Sequence, residues 1–327
     1  MQQDNPKPKK IGILTSGGDA PGMNAAIRAA VRTAITNDIK VMGITHGYYG
    51  LVTGNIQEMG RKSVSETIHR GGTILRTSRC PEMHTSEGCE KAANVCRVLN
   101  FDALVVIGGD GSIRGAQELA KRGVNVICIP ATIDLDLPCT EYSIGFDTAV
   151  NTGMEAINKI RDTSTSHERC SVVEVMGRHA GHIALWCAIV GGAEDVMLPE
   201  RESCNENSII QQIMENHAKG KKHNLIIVAE GVGRAVELAE TIEKITGIET
   251  RATILGYLQR GGSPTAVDRM HASVMGYKSI EILLNGERNK VVVYKAGDYS
   301  GMGIEEALSV KFRLDMNYYK ILKTLSN

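Results

Sequence analysis

At 327 residues the chain is long for a single core, which makes two domains the expectation. Its 37 basic and 37 acidic residues cancel and only 4% of residues are aromatic, so neither bulk charge nor base stacking points to a nucleic-acid partner. No apolar run reaches the roughly 18 residues of a membrane span, and the N-terminal MQQDNPKPKK lacks a signal's apolar stretch; a cytoplasmic protein with no membrane partner and a short, loose N-terminal tail is expected.

The predicted elements alternate between strand and helix. KIGILTS, residues 10–16, leads into GGDAPG and then a helix carrying Ala26, Ile27, Ala30 and Val31. ALVVIGG, residues 103–109, leads into DGS and then the helical IRGAQELAKR, which ends near Gly123. NVICIPAT follows and runs into PATIDLD, residues 130–136. In the second half SVVEVMG, 171–177, precedes a helix around Ile183–Val190, then EDVMLPE. NLIIVAEG, 224–231, precedes ELAETIEKI, and ATILGYLQRGG precedes a helix from about Thr265 to Leu284. This rhythm is that of an α/β protein with parallel sheets and helices on both faces, whose ligands sit at the carboxyl ends of strands.

The eight cysteines (Cys80, Cys89, Cys96, Cys128, Cys139, Cys170, Cys187 and Cys204) show no C-x2-C spacing. Zinc sites and disulfide frameworks need tighter repeats, so reduced structural thiols are expected. His179 and His182 are spaced to share a helix face, but no third ligand lies near them in sequence.

The unusual loops fall where strands end. LTSGGDAPGMN places Gly17, Gly18, Pro21 and Gly22 between a strand and a helix, where backbone can approach an anion closely. It matches neither common nucleotide-loop signature, and a plain glycine turn is the alternative. IGGDGS, 107–112, repeats the design with Gly108, Gly109, Asp110 and Gly111. A carboxylate beside phosphate suits a bridging divalent cation; a helix N-cap is the alternative reading of Asp110. In PATIDLD, one of Asp134 and Asp136 can accept a proton from a hydroxyl while another carboxylate helps hold metal, and Thr132 offers a hydroxyl; the alternative is an Asx turn. Arg79, Arg178, Arg251 and Arg260 stand in loops near glycines and suit phosphate oxygens.

In combination LTSGGDAPGMNAAIR, IGGDGS, TID-x-D, RDTSTSHER, VVEVMGR and LQRGGSP resemble the bacterial ATP-dependent 6-phosphofructokinase family, nearly end to end. The resemblance implies two Rossmann-like three-layer α/β domains with mostly parallel sheets and the active site in the cleft between them. A larger ATP-binding domain would hold residues 1–144 plus 258–308, and a smaller fructose-6-phosphate domain 145–257 plus 309–327. The implied reaction moves the γ-phosphoryl group of ATP to the 1-hydroxyl of fructose 6-phosphate. Gly18, Tyr48, Arg79, Cys80, Gly109, Asp110, Gly111 and Ser112 would line ATP, with Asp110 on Mg²⁺. Asp134 would be the general base, flanked by Thr132 and Asp136, while Arg79 and Arg178 stabilise the moving charge. Met176, Gly177, Arg178, Glu230, Tyr257 and Arg260 would hold the sugar phosphate. Arg169 and Arg251 would reach it from a neighbouring subunit of a homotetramer. An effector site for ADP or phosphoenolpyruvate would use Arg28, Arg32, Arg61, Arg161, Glu194, Lys219, Lys221 and His223.

The chain departs from that family pattern at Ala131, where glycine is usual, Leu135, where asparagine is usual, Tyr257, where histidine is usual, and His84, where arginine is common. Two other readings compete with the ATP-dependent kinase. Pyrophosphate users resemble the chain but tend to carry aspartate at Gly111 and lysine at Ala131. A weakly active regulatory homologue would not need Asp110, Asp134, Arg79 and Arg178 together.

Overall fold

The computed structural model describes residues 7–201 and 206–326, so the N-terminal tail before Lys7 and Cys204 lie outside the described residues. The chain forms two compact units. One holds the residues up to Thr148 together with Arg260–Phe312, the other Ala149–Gln259 together with the residues from Arg313 on.

In chain order the first unit begins with β1 (Lys10–Thr15), α1 (Met23–Thr36), β2 (Lys40–Ile44), α2 (Gly47–Thr53), β3 (Ile56–Met59), α3 (Ser86–Val98), β4 (Ala103–Gly108), α4 (Asp110–Lys121) and β5 (Val126–Pro130). Helix α5 (Phe146–His167) leads into β6 (Cys170–Val175), α6 (His182–Gly191), β7 (Asp195–Met197), α7 (Glu206–Ala218), β8 (Asn224–Ala229), α8 (Ala235–Thr246) and β9 (Thr250–Ile254) of the second. The first unit then resumes with α9 (Ala266–Leu284), β10 (Lys290–Lys295), β11 (Asp298–Gly303) and α10 (Ile304–Ser309), and α11 (Asn317–Leu325) closes the second.

Among the described residues the first unit carries a seven-stranded sheet in the order β11-β10-β5-β4-β1-β2-β3. Its inner strands are parallel, with registers such as Leu14 to Val106 and Val106 to Cys128. Only the outer strands β3 and β11 run antiparallel to their neighbours. β4 and β5 are buried along their whole length, as strands covered on both faces must be, which is why ALVVIG and VICIP are unbroken apolar runs. The second unit carries a parallel sheet in the order β7-β8-β6-β9. Mostly parallel sheets with helices, in two α/β units, are the architecture expected from the sequence.

The core of the first unit packs Leu14, Ile44, Leu104, Val106 and Cys128 against Ala92, Ile113, Ala116 and Leu119 from the helices. Truncating one such side chain, Leu104 for example, would cost about 2–5 kcal/mol. The second packs Val172, Ile226 and Val228 against Ile209, Ile213, Leu238 and Ile242. Helix α5, 22 residues long, is not among the elements the sequence predicts. Its buried positions Ala149, Val150, Gly153 and Ile157 do follow helical spacing, but two are small and the surrounding Thr and Asn blur the stripe.

Candidate active site

β5, β4 and β1 are neighbours, and the chain leaves β1 toward β2 on one side while β4 lies on the other. That reversal opens a crevice at the carboxyl ends of β1 and β4. The three motif loops therefore meet. Ser16 donates its N–H to the Ile107 carbonyl (2.9 Å), and Ala131 donates to the Gly108 carbonyl (3.0 Å). A Cβ on Gly108 would lie 2.4 Å from the Ser16 carbonyl oxygen and 2.5 Å from the Ser112 Oγ, so only glycine lets the loops close to this distance.

Helices α1 and α4 both begin on glycine, Gly22 and Gly109, with no side-chain cap on their first turn. Their leading N–H groups thus face the crevice end of the sheet uncapped by side chains, the arrangement that attracts phosphate. Asp110 is the first residue of α4, not its N-cap, which removes the capping alternative. It also places DGS inside the helix rather than before it. One Asp110 oxygen, Oδ2, accepts from Arg114 Nε at 2.7 Å on a partly exposed surface. Ser112 is buried, and its carbonyl accepts the Tyr48 hydroxyl at 2.7 Å. Tyr48 is itself only 4% exposed, and burial pushes its phenol well above the ordinary range. It bears on the site by holding the first turn of α4.

In the third loop Asp134 is 7% exposed, and its N–H donates to Thr132 Oγ1 at 3.2 Å. The threonine hydroxyl thus closes a turn onto the Asp134 backbone. Leu135 has φ 52°, a left-handed conformation, so the chain reverses between the two aspartates and sends Leu137 into the core. Arg79 is exposed at the end of GGTILRTS. That segment is tied to the first loop by Thr77 Oγ1 donating to the Gly17 carbonyl (2.6 Å) and Thr15 Oγ1 donating to the Arg76 carbonyl (3.0 Å). Cys80 follows, its thiol pushed up by burial and donating to Glu82 at 3.4 Å. Arg260 lies over Gly18: its Nη1 would be 2.2 Å from a Cβ there, and it donates to the Asp19 carbonyl at 3.5 Å.

The second unit assembles a separate group at the carboxyl ends of β6 and β8. Glu230 accepts the backbone N–H of Gly177 (3.2 Å) and of Arg178 (2.8 Å) through one oxygen, which leaves the Arg178 side chain exposed. Met176 donates its N–H to Gln259 Oε1 (2.7 Å), and Gln259 Nε2 donates to the Ala149 carbonyl (3.1 Å). Arg169 and Arg251 are not part of this group. They sit at the amino ends of β6 and β9, across from it by a six-residue strand, roughly 20 Å. There both grip Glu249, Arg169 at 2.6 Å and Arg251 at 2.5 Å, and those guanidiniums, Arg169 foremost, hold its carboxyl below the usual range. Tyr257 is 83% exposed in a short 3-10 turn beside Leu258, 69% exposed.

Of the more distant basic residues, Arg28, Arg32 and Arg61 belong to the first unit, with Arg61 donating to Thr36 at 3.0 Å. The Arg32 Nε is buried without a hydrogen-bond partner. Arg161, Glu194, Lys219, Lys221 and His223 belong to the second. Arg161 donates to the Gly191 and Gly192 carbonyls, and Lys221 pairs with the buried Glu194 at 2.5 Å. His179 precedes α6 and His182 opens it, so the two do not share a helix face. Among the described residues no group of three or more His, Cys, Asp or Glu is arranged to hold a metal by itself.

Sequence reading missed Gln259 and Asp268, both 0% exposed. Gln259 lies within LQRGGSP, but the motif does not mark it as the buried member. Asp268 leaves a partial signal: Thr265 caps α9 by accepting the Asp268 N–H, a T-x-x-D spacing at a helix start.

Residues 10–283 match the family described as PFK: Phosphofructokinase. The chain is 57% identical to an ATP-dependent 6-phosphofructokinase of Clostridium botulinum over 97% of its own length and 99% of the relative's. It is equally identical, with the same coverage, to the ATP-dependent 6-phosphofructokinase of Clostridium acetobutylicum. Among solved structures it is similar to phosphofructokinase from Saccharomyces cerevisiae (TM-score 0.85, 31% identity), covering 97% of this chain but spanning 47% of the yeast chain. A pyrophosphate-dependent phosphofructokinase from Marinobacter aquaeolei shares the fold (TM-score 0.82, 22% identity), covering 95% of this chain and 86% of that one.

Proposed function

The chain belongs to the phosphofructokinase family, and from that premise we propose that it transfers the γ-phosphoryl group of ATP to the 1-hydroxyl of fructose 6-phosphate, giving fructose 1,6-bisphosphate and ADP. The observation that carries this reading is the junction of three loops at adjacent strand ends, with two glycine-started helices and the buried Asp134 beside them. The larger unit is the ATP-binding domain and the smaller the sugar-phosphate domain.

Asp134 accepts the proton of the 1-hydroxyl as it attacks, and its burial suits a base that must be activated rather than solvated. The Thr132 hydroxyl sets the turn on which Asp134 rides and flanks it on one side, Asp136 on the other. Arg79 and Arg178 stabilise charge on the moving phosphoryl group. Gly18, Cys80, Gly109, Gly111 and Ser112 line the nucleotide, with Tyr48 supporting Ser112. Met176, Gly177, Arg178, Glu230, Tyr257 and Arg260 hold the sugar phosphate.

Magnesium fits this donor set. Asp110 offers one carboxylate, and such an ion completes its shell from nucleotide phosphates and water rather than from a protein cage. The bound ion would neutralise phosphate charge, and Arg114 holds Oδ2, one of the two Asp110 oxygens.

The position of Arg169 and Arg251, at the far end of the sheet from Glu230, supports a homotetramer in which they reach a neighbour's sugar phosphate. Exposed Tyr257 and Leu258 suit such an interface. ADP or phosphoenolpyruvate would bind as effectors at Arg28, Arg32, Arg61, Arg161, Glu194, Lys219, Lys221 and His223. A cytoplasmic location is supported by seven free thiols among the described cysteines.

A coupled assay of fructose 6-phosphate with ATP, then with pyrophosphate, tests the reading. Gly111 and Ala131 are small enough to admit a nucleotide, so ATP turnover should dominate. Equal or faster turnover with pyrophosphate would overturn it.

A further inference from the structure

Asp268 is fully buried, and its carboxylate receives four donors. Oδ1 accepts the Tyr142 hydroxyl (2.6 Å) and the Gly145 N–H (2.6 Å), and Oδ2 accepts the Thr148 N–H (2.8 Å) and the Thr148 hydroxyl (2.5 Å). Burial pushes this carboxyl up, and the four donors oppose the push. The grip fixes residues 142–148, a strap that crosses the base of the Asp134 loop. Ser143 Oγ donates to the Thr132 carbonyl at 2.7 Å, and Ile144 N–H donates to the Pro130 carbonyl at 3.1 Å. The same strap touches the first loop. Gly145 has φ 107°, and a Cβ there would lie 2.7 Å from Ala20 Cβ; a Cβ on Gly22 would meet Ile144 at 2.6 Å and Asp268 at 3.6 Å. Thr148 Oγ1 also accepts the N–H of Thr265, which ties in the loop after LQRGGS.

We propose that Asp268 is a positioning residue for phosphoryl transfer: by holding residues 142–148 it sets, through Ser143 and Ile144, the turn from Thr132 to Asp134 on which the general base is carried. The inference rests on the reading of Asp134 as that base. A carboxylate is required because all four partners are donors and an ionised carboxylate only accepts. Asparagine in its place would turn one N–H toward the Thr148 N–H, leaving two donors facing each other.

The test compares wild type, Asp268→Asn, Ser143→Ala, the Asp268→Asn/Ser143→Ala pair, and Asp134→Ala. The readouts are kcat on protein shown to be folded at the assay temperature, and separately the melting midpoint. Asp268→Asn should lower kcat at least tenfold, and Ser143→Ala three- to tenfold. The pair should be no worse than Asp268→Asn within about twofold, because both changes cut one strap. A residue that only holds the fold together would lower the midpoint while leaving kcat of folded enzyme unchanged. If Asp268→Asn does not fold, Ser143→Ala and Tyr142→Phe carry the test, each expected to lose kcat three- to tenfold. Wild-type kcat in the folded Asp268→Asn, or failing that in both Ser143→Ala and Tyr142→Phe, overturns the positioning role, as does full additivity in the pair. Loss of activity in Asp134→Ala with none in the strap variants sinks this inference alone; full activity in Asp134→Ala sinks the reading of the base and the inference with it.

Discussion

Leu135 occupies a conformation that costs an ordinary side chain about 1–2 kcal/mol, since φ 52° brings Cβ against the following carbonyl. Asparagine, the family's usual residue there, tolerates that region better because its short amide bonds locally. Replacing Leu135 by asparagine therefore relieves roughly 1 kcal/mol of strain. It also forfeits the half-buried part of the leucine, again about 1 kcal/mol, half of what full burial contributes. The two nearly cancel, so the urea midpoint of Leu135→Asn should stay close to wild type. Activity should not. An amide between Asp134 and Asp136 that makes one useful hydrogen bond contributes about 0.5–1.5 kcal/mol, roughly three- to tenfold, and it should appear mainly in kcat. Leu135→Val sharpens the test, because a β-branched residue is far less at ease at positive φ. Valine should either lower the unfolding free energy by about 1 kcal/mol or more, and the midpoint with it, or drag the loop away and lower kcat. Steady-state kinetics and urea unfolding of the three proteins decide it. If asparagine brings no gain in kcat/KM and valine harms neither rate nor midpoint, the left-handed turn does not set the geometry of the working enzyme.

Asp134→Ala should reduce kcat by about 10²–10⁴ with far smaller change in sugar-phosphate binding; near wild-type kcat would mean another group takes the proton. Tyr257→His should lower the KM for fructose 6-phosphate, since a cationic partner for phosphate is worth about 1.5–3 kcal/mol, and combining it with Leu135→Asn should improve kcat/KM further; no improvement in either or in the pair would mark both residues as neutral. Neutralising Arg161 should blunt any response to ADP or phosphoenolpyruvate while kcat at saturating substrate holds, and wild-type kinetics indifferent to both ligands would end the effector assignment. His182, whose burial lowers its imidazole to about 4, is held neutral in the fold while the unfolded chain binds its proton near pH 6.5. Stability should be complete above about pH 6.5 and fall by on the order of 2–3 kcal/mol as pH drops toward 4. The urea midpoint of His182→Gln should show less of that acid loss than wild type, and an equal loss in both would place the effect elsewhere.

Much of this was legible in the residues. β4 and β5 are apolar along their whole length because they are covered on both faces, and that shows as ALVVIG and VICIP. Gly108 marks the point where the Ser16 backbone must come close, Gly17 takes a left-handed φ of 84° and Gly18 makes room for the Arg260 guanidinium, and burial or glycine requirement is a property of each residue's own surroundings. Partnership is not. Nothing local to β10 says that it will pair with β5, some 160 residues earlier, or that β3 and β11 will close the sheet as antiparallel edges. Arg169, Arg178 and Arg251 look alike in sequence, yet strand direction puts Arg178 at one end of the second sheet and the other two at the opposite end on Glu249. Asp268 reads as the third residue of a capped helix, and only the return of the chain beneath residues 142–148 makes it the acceptor of four donors. Local sequence encodes period, turn and burial because those depend on neighbours a few residues away; which loops and carboxylates face one another depends on contacts whose closing is driven by burial across the whole chain, and those contacts exist only once the sheets have formed.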